Sequence, residues 1–315
     1  MQAFCTIITA DHFPKALALF RSIRKFDDSV ELHVLVADDH PVAQVPTGMR
    51  IFSPEALMEY PLVREVHRKY AHINIDNFRW SMKPLFTAWF LENGYSRIIY
   101  ADCDMFFVND YRFLFEELAN CGLWLVPHWK TLDPLEDKQA FLSLFTSGIY
   151  LAGLFGASTH GLPALKWWAQ ACHFMMMPAI DLGVHDDQRY LDIVPAVFDN
   201  TSIIRHRGVG IGAWNQQSSP RTASGNDIMI AHRYPVIAIH FDREMIEGIL
   251  KGHDPLLKPY LDEYRQAFHA DAHSLDDYFP DSRELENKNI VKTVKWKLKL
   301  RTRMKRWLYR AAEKL

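Results

Sequence analysis

Cysteine is scarce and scattered in this sequence. The four present, Cys5, Cys103, Cys121 and Cys172, lie far apart and form no CxxC pair, so no disulfide framework is predicted and a reducing cytoplasm is the expected setting. The opening MQAFCTIIT lacks a charged segment ahead of a cleavable apolar run, as a secretory leader would have. No run of about 18 uncharged apolar residues occurs, which argues against a helical bilayer span. Repeats and low-complexity linkers are missing too. Nor is there an excess of one charge: 36 basic residues stand against 38 acidic ones, so the chain as a whole is not built to bind a polyanion.

What is present is a full core's worth of apolar residues, 49% of 315, which excludes disorder as the dominant state. The balanced charge is an average of two unlike parts. Residues 288–315 hold eleven Lys or Arg and one Glu, net +10, leaving 25 basic against 37 acidic residues, net −12, in residues 1–287. The two parts are expected to face different surroundings.

Along the chain, Ala3 to Thr9 is a short β-rich apolar run, and Ala16, Leu17, Leu19, Phe20 and Ile23 follow at helical spacing. A second apolar run, Leu32 to Ala37, ends in Asp38-Asp39. Ser81 to Asn93 reads as a helix with Pro84 in its first turn and Gly94 just beyond its end, and Arg97 to Ala101 as a strand. Residues 122–127, 148–156 and 236–241 are further strand candidates, and Leu162 to Met177 and Asp187 to Ile193 read as helical. This alternation predicts an α/β fold with a mixed, mainly parallel sheet, whose ligands belong at the carboxyl ends of the strands. Size places one compact domain at residues 1–250, an acidic connecting segment at 251–287 and a basic segment at 288–315.

Asp102-Cys103-Asp104 follows the predicted strand Arg97 to Ala101 at once, with Met105-Phe106-Phe107-Val108 beyond it. Bare carboxylates in such apolar company are costly without a partner. In an extended backbone, residues two apart project to the same side, so both side chains reach one cation. Oxygen ligands of this kind suit Mg²⁺ or Mn²⁺, with positions left open for phosphate oxygens. A short DxD alone is more often a turn or a helix cap; its place directly after a strand and its apolar flanks favour a lined site here.

These residues resemble the nucleotide-sugar glycosyltransferases of the GT-A fold, in particular a bacterial group similar to the glycogenin and galactosyltransferase type. The resemblance runs over most of residues 4–265. It is carried by Phe4-Cys5-Thr6-Ile7-Ile8-Thr9-Ala10-Asp11, Met82-Lys83-Pro84-Leu85 and Ile99-Tyr100-Ala101-Asp102-Cys103-Asp104. Weaker matches are Val126-Pro127-His128, Gly148 to Gly156, Lys166-Trp167-Trp168, Asp187-Gln188, Trp214-Asn215 and Ile239-His240-Phe241.

The resemblance implies a single GT-A (Rossmann-like) domain and a hexosyltransferase acting on a nucleoside-diphosphate sugar, UDP-type, with Mn²⁺ or Mg²⁺. Asp102 and Asp104 would hold the metal, with His240 as third ligand; His185 and His232 compete for that place. Thr9, Ala10 and Asp11, at the exit of the first strand, would receive the base and ribose, and Lys83 and Cys103 would line the donor site. Asp11 is equally a candidate N-cap for the helix near Pro14, and Lys83 a solvated first-turn lysine. Asp187 and Gln188, with Asp186 as rival, would lie against the donor sugar, where a carboxylate or amide oxygen favours oxocarbenium character; Asp186 and Asp187 are equally candidate helix caps. The resemblance implies retention of configuration. One departure is Leu151 before Ala152-Gly153, where the related enzymes carry Asn, which points to different acceptor binding.

Wound as a helix, residues 288–315 place Lys288, Lys292, Lys295, Lys299, Arg303, Arg306 and Arg310 on one side and Ile290, Val294, Leu298, Leu300, Met304, Trp307, Leu308 and Ala311 on the other. This is the pattern of an amphipathic helix lying on an anionic membrane, with Trp296 and Trp307 favouring lipid over nucleic acid. The expected whole is a glycosyltransferase peripheral to the inner face of the cell membrane, acting on a glycan or glycolipid acceptor. The alternatives are a metal-dependent phosphoesterase using the same carboxylates, and a non-catalytic sugar-nucleotide-binding scaffold.

Overall fold

A computed structural model describes residues 1–176, 182–225, 227–270, 273–275 and 278. In chain order the elements are β1 (Gln2–Ile8), α1 (Phe13–Arg24), β2 (Leu32–Val36), β3 (Met49–Phe52), α2 (Pro61–Tyr70), α3 (Ile75–Glu92), β4 (Arg97–Ala101) and β5 (Met105–Phe107). Then come α4 (Phe113–Glu117), β6 (Leu123–Pro127), α5 (Lys138–Thr146), β7 (Tyr150–Ser158), α6 (Leu162–Phe174), α7 (Val194–Val197), β8 (Thr201–Ile203) and β9 (Val209–Ile211). Strands β10 (Arg221–Ser224), β11 (Asp227–Ile230), β12 (Tyr234–Pro235) and β13 (Ala238–His240) precede α8 (Arg243–Leu250) and α9 (Lys258–His269).

The main sheet has the order β3-β2-β1-β4-β7-β6-β8. Strands β1, β2, β3 and β4 pair in parallel, as do β6 and β8, while β7 runs antiparallel to both its neighbours. The expected mixed, mainly parallel sheet is therefore present. Its strands are near-continuous apolar runs because both faces are covered: every residue of β2, β6 and β7 is buried. Strand order reverses direction beside β1 and β4, so their carboxyl ends open a crevice.

Two small sheets complete the fold. Strands β10, β11 and β12 form one, and β5, β13 and β9 the other. The second matters for the site: β13 pairs antiparallel with β5, bringing Ile239 opposite Phe106 and His240 opposite Met105.

Helix α3 differs from expectation. It starts not near Ser81 but at Ile75, where the Asn74 side chain accepts from the N–H groups of Asp76 (3.0 Å) and Asn77 (3.1 Å). Pro84 lies inside the helix rather than in its first turn; packing on β1 and β4 overrides the missing N–H and the local preference against it. The result is a longer helix with Arg79 and Lys83 one turn apart on one face.

The compact unit is Met1–His273, so it extends past residue 250. Part of the expected connecting segment is α9, which packs on α1 through the Lys25–Glu263 ion pair (2.8 Å) and stacks Tyr264 on Phe241 (ring centroids 4.6 Å apart). These aromatic contacts bury enough apolar surface to fix the helix. The expected amphipathic helix at 288–315 lies outside the described residues.

Candidate active site

The site begins where β4 ends. Asp102 donates its N–H to Gly153 O of β7 (2.8 Å), and its own carbonyl accepts from Met105 N (2.9 Å), closing a tight turn over Cys103 and Asp104. The two carboxylates thus converge through a turn, not through the extended backbone the sequence pattern suggested. The β5–β13 ladder then delivers His240, whose Nε2 lies 2.8 Å from Asp104 Oδ1. One ligand atom from each of Asp102, Asp104 and His240 lies within 4.8 Å of the others. His185 and His232 are not part of this group.

These residues fit a hard divalent cation: two carboxylates and an imidazole, with a cavity of about 210 Å³ beside them. A Cβ on Gly153 would stand 2.6 Å from Asp102 Oδ2 and 3.4 Å from His240 Cε1, so only bare backbone leaves the donors room. His240 Nδ1 is buried and has no hydrogen-bond partner among the described residues. Burial works against charge on His240, but the Asp104 carboxylate outweighs it and lifts the imidazole to about 9. Burial likewise opposes charge on Asp104, and His240 more than compensates, holding the carboxyl well below its usual range. Tyr100 donates to Asp102 Oδ1 at 2.7 Å, its hydroxyl kept protonated first by burial and then by that carboxylate.

Lys83 joins this cluster to a third carboxylate. It is 4% exposed, and its Nζ lies 3.3 Å from Asp102 Oδ1 and 3.1 Å from Asp187 Oδ2. The solvated-lysine reading is therefore wrong. Burial disfavours the ammonium, yet the two carboxylates prevail and raise it above its ordinary range. Asp187 is raised as well, because burial and the charge of Asp102 together exceed what the shared lysine returns.

Asp187 and Gln188 arrive without a helix beneath them. The short 3₁₀ turn Arg189–Asp192 has no side-chain cap from Gln188, and neither Asp186 nor Asp187 acts as its cap. Instead Trp168 Nε1 donates to Asp187 O (2.8 Å), while Gln188 Nε2 donates to Ser147 O (2.7 Å) and its Oε1 accepts from Ala152 N (3.4 Å). Asp186, in left-handed backbone at φ +46, is half-buried with a raised carboxyl pKa, burial being the cause. It stands 4.0 Å from His185 Nε2.

A second cavity of about 530 Å³ adjoins the first, with His12 lining both. Thr9, Asp11, Asp38, Asp39 and Asp76 contribute its polar walls. Thr9 donates its hydroxyl to Asp11 Oδ1, and Thr9 Oγ1 is 2.8 Å from His12 Nδ1. Asp11 does not cap α1; the cap position is His12, which makes no side-chain cap bond. The N–H of Ala10, one of the residues expected to receive the base and ribose, donates to both carboxylate oxygens of Asp38 (3.1 and 3.2 Å). Cys103 lines the smaller cavity, with burial pushing its thiol up to about 12, so it stays protonated.

Two site residues, Arg79 and Lys15, lie outside every motif in the sequence. Arg79 lines the smaller cavity, donates to Asp76 at 2.8 Å through Nη2 and keeps a buried Nε with no hydrogen-bond partner among the described residues. Lys15 of α1 places Nζ 3.8 Å from Asp104 Oδ2. Trp214 sets its ring edge-on to His240 at 5.6 Å and to His128 at 5.2 Å. Because α3 begins at Ile75 rather than near Ser81, Arg79 lies one turn before Lys83 on the same helix face.

No protein-family model matches the chain. It is 27% identical over 255 residues to the uncharacterized protein YfnF of Bacillus subtilis (strain 168), covering 79% of this chain and 83% of YfnF. It is 23% identical over 295 residues to YfnD of the same organism, covering 84% and 91%. Among solved structures it is similar to apo mouse xyloside xylosyltransferase 1, with a TM-score of 0.48 and 11% identity over 78% of this chain and 99% of that one. It is also similar to the galactosyltransferase LgtC in complex with donor and acceptor sugar analogues, with a TM-score of 0.40 and 15% identity over 66% and 74% of the two chains. An active-site mutant of LgtC gives 0.46 and 12% over 76% and 87%. These solved relatives are sugar transferases by name. At such scores the likeness is partial, and the functional reading rests on this chain's own side chains.

Proposed function

We propose that the chain is a GT-A-type glycosyltransferase that moves a hexose from a nucleoside-diphosphate sugar, UDP-type, to a glycan or glycolipid acceptor with Mn²⁺ or Mg²⁺. The observation that carries this reading is the convergence of Asp102, Asp104 and His240 next to a buried Lys83 shared with Asp187. Asp102, Asp104 and His240 would hold a divalent ion, which when bound would supply Lewis-acid stabilisation of charge on a diphosphate. The chain's own residues do the rest. Lys83 and Arg79 present fixed positive charge toward the phosphates, and the cavity bounded by Thr9, Asp11 and Asp38 takes the nucleoside. Asp187 and Gln188 fix the donor sugar.

The proposal includes retention of the anomeric configuration, as the resemblance implies; Asp187, buried and paired with Lys83, is compatible with a role at the donor sugar. It also includes a peripheral location on the inner face of the membrane through residues 288–315, supported by their charge pattern. Vesicle co-sedimentation tests that part: deleting 288–315 should release the protein from anionic liposomes, and equal binding of both proteins would refute it.

The main test is a thermal-shift panel of nucleoside diphosphates and their sugars with and without Mn²⁺. Stabilisation by a UDP compound only with metal, lost in Asp104→Asn while the circular dichroism spectrum stays unchanged, is the expected result. Phosphate release without transfer to any sugar would favour the phosphoesterase reading, and metal-independent binding would overturn the metal assignment.

A further inference from the structure

A third and a fourth cavity lie beyond the metal cluster. Trp214, edge-on to His240, lines one of about 430 Å³ whose other walls are mostly polar, among them Gln139, Ser143, Gln216 and Gln217, with Ala140 and Ala213 as the apolar exceptions. Lys130, Thr131, Gln217 and Ser218 are shared with a neighbouring cavity of about 610 Å³. That neighbour is of different character. Leu132, Leu144, Ile149 and Ile203 line it together with three cations, Lys130, Arg205 and Arg207.

None of the three cations has an ion-pair partner among the described residues. Arg207 stacks its guanidinium over the Trp129 ring at 4.8 Å and donates weakly to Ser218 O (3.5 Å); Lys130 donates to Ser147 Oγ (2.7 Å); Arg205 is exposed. Burial pushes Lys130 down to about 8. The two carboxylates in the lining are engaged within their own loop: Asp133 accepts from Leu135 N (2.8 Å) and Glu136 from the Thr131 hydroxyl (2.7 Å). Lys130 and Arg207 are only half-buried and Arg205 is exposed; Asp192 supports the charge on Lys130, and Arg207 has no carboxylate partner among the described residues, so an anion entering beside the apolar wall meets positive charge that is not fully neutralised. The same stretch leaves Leu132, Leu135, Leu142, Phe145 and Ile149 exposed, between 43% and 94%, a clustering of large apolar side chains that marks a contact site for hydrocarbon.

We infer that the 610 Å³ cavity binds an amphiphilic organic phosphate, its anion on Lys130, Arg205 and Arg207 and its hydrocarbon along Leu132, Leu144 and Ile149. This rests on the proposed transferase reading only for its role: the phosphate would belong to a lipid-linked acceptor whose sugar occupies the polar cavity at Trp214. Arginine forks suit phosphate oxygens, and an aromatic face suits a sugar ring.

The test uses the full chain and dodecyl phosphate, with dodecanol and inorganic phosphate as controls, followed by calorimetry. Saturable binding of dodecyl phosphate is expected, with both controls much weaker. The double substitution R205Q/R207Q should weaken it by about tenfold or more, as loss of charge-assisted hydrogen bonds would, and L144Q should weaken it separately. Binding of UDP with Mn²⁺ should match wild type in both variants, showing that they fold. Equal affinity for dodecanol, equal affinity for inorganic phosphate, or no change in R205Q/R207Q would overturn the inference. If UDP and Mn²⁺ bind none of the three proteins, the donor reading fails while the dodecyl phosphate result still decides the cavity.

Discussion

Lys83 is held in the interior by Asp102 and Asp187, with 5% of its side chain exposed. Replacing it with methionine leaves two carboxylates facing each other without a cation. Breaking a buried pair in this way costs about 3–5 kcal/mol, and urea denaturation of Lys83→Met should show a loss of that size. The companion change Asp187→Leu should restore much of the stability and none of the metal-dependent donor binding; a double variant as unstable as Lys83→Met would show that the pair is not the source of the effect. Gly153 is limited by a different force. An added methyl meets Asp102 Oδ2 at 2.6 Å, so Gly153→Ala should lower Mn²⁺ affinity in calorimetry by displacing a ligand, while overpacking costs about 1–3 kcal/mol of stability. Unchanged metal affinity in Gly153→Ala would place the ion elsewhere.

Helix α3 carries both Arg79 and Lys83, so its start decides the site's geometry. Asn74 caps it through two backbone N–H groups, and Asn74→Ala should reduce stability by about 1 kcal/mol in a denaturant melt. The same capping geometry recurs at Asp137, which accepts from Gln139 N and Ala140 N (both 2.9 Å) at the start of α5. No residue of α5 is buried, so Asp137→Ala should fray α5 locally with a smaller global effect. Hydrogen exchange would separate the two: global slowing lost for Asn74→Ala, only α5 amides faster for Asp137→Ala. The β5–β13 ladder is the other decisive element, because it joins residues 136 apart in sequence, Asp104 and His240, in one hydrogen bond.

Acid should loosen the whole molecule earlier than carboxylate protonation alone. His33, stacked on Phe90 at 4.3 Å, is lowered by burial to about 4, and His128 is lowered by burial, then by Lys130, to about 3. In the unfolded chain both rings titrate near about 6.5. Between about 6.5 and 4 the unfolded state takes up protons that the folded state refuses, so stability falls as pH drops, by up to roughly 1.4 kcal/mol per ring for each pH unit. Chemical denaturation at stepwise pH should show this slope, and His33→Phe should reduce it by about one proton; an unaltered slope would mean that His33 is protonated in the fold.

The sequence by itself determined the α/β alternation, the strand Arg97–Ala101 to the residue, and the Asp102-Cys103-Asp104 pair, because apolar runs and a carboxylate pair among them are local patterns. It also marked Lys83 and Asp187, but not that they touch. Tertiary structure decided what local pattern cannot encode: that Pro84 sits inside a helix held by the sheet, that Asp102 and Asp104 converge through a turn, and that His240 rather than His185 or His232 meets them. Arg79 and Lys15 look in sequence like any helix-face residue, and Trp214-Asn215 is a weak match with no position attached; only long-range pairing and burial bring them to one crevice. Contacts between distant residues depend on which strand lies beside which, and that is settled by the packing of the whole core.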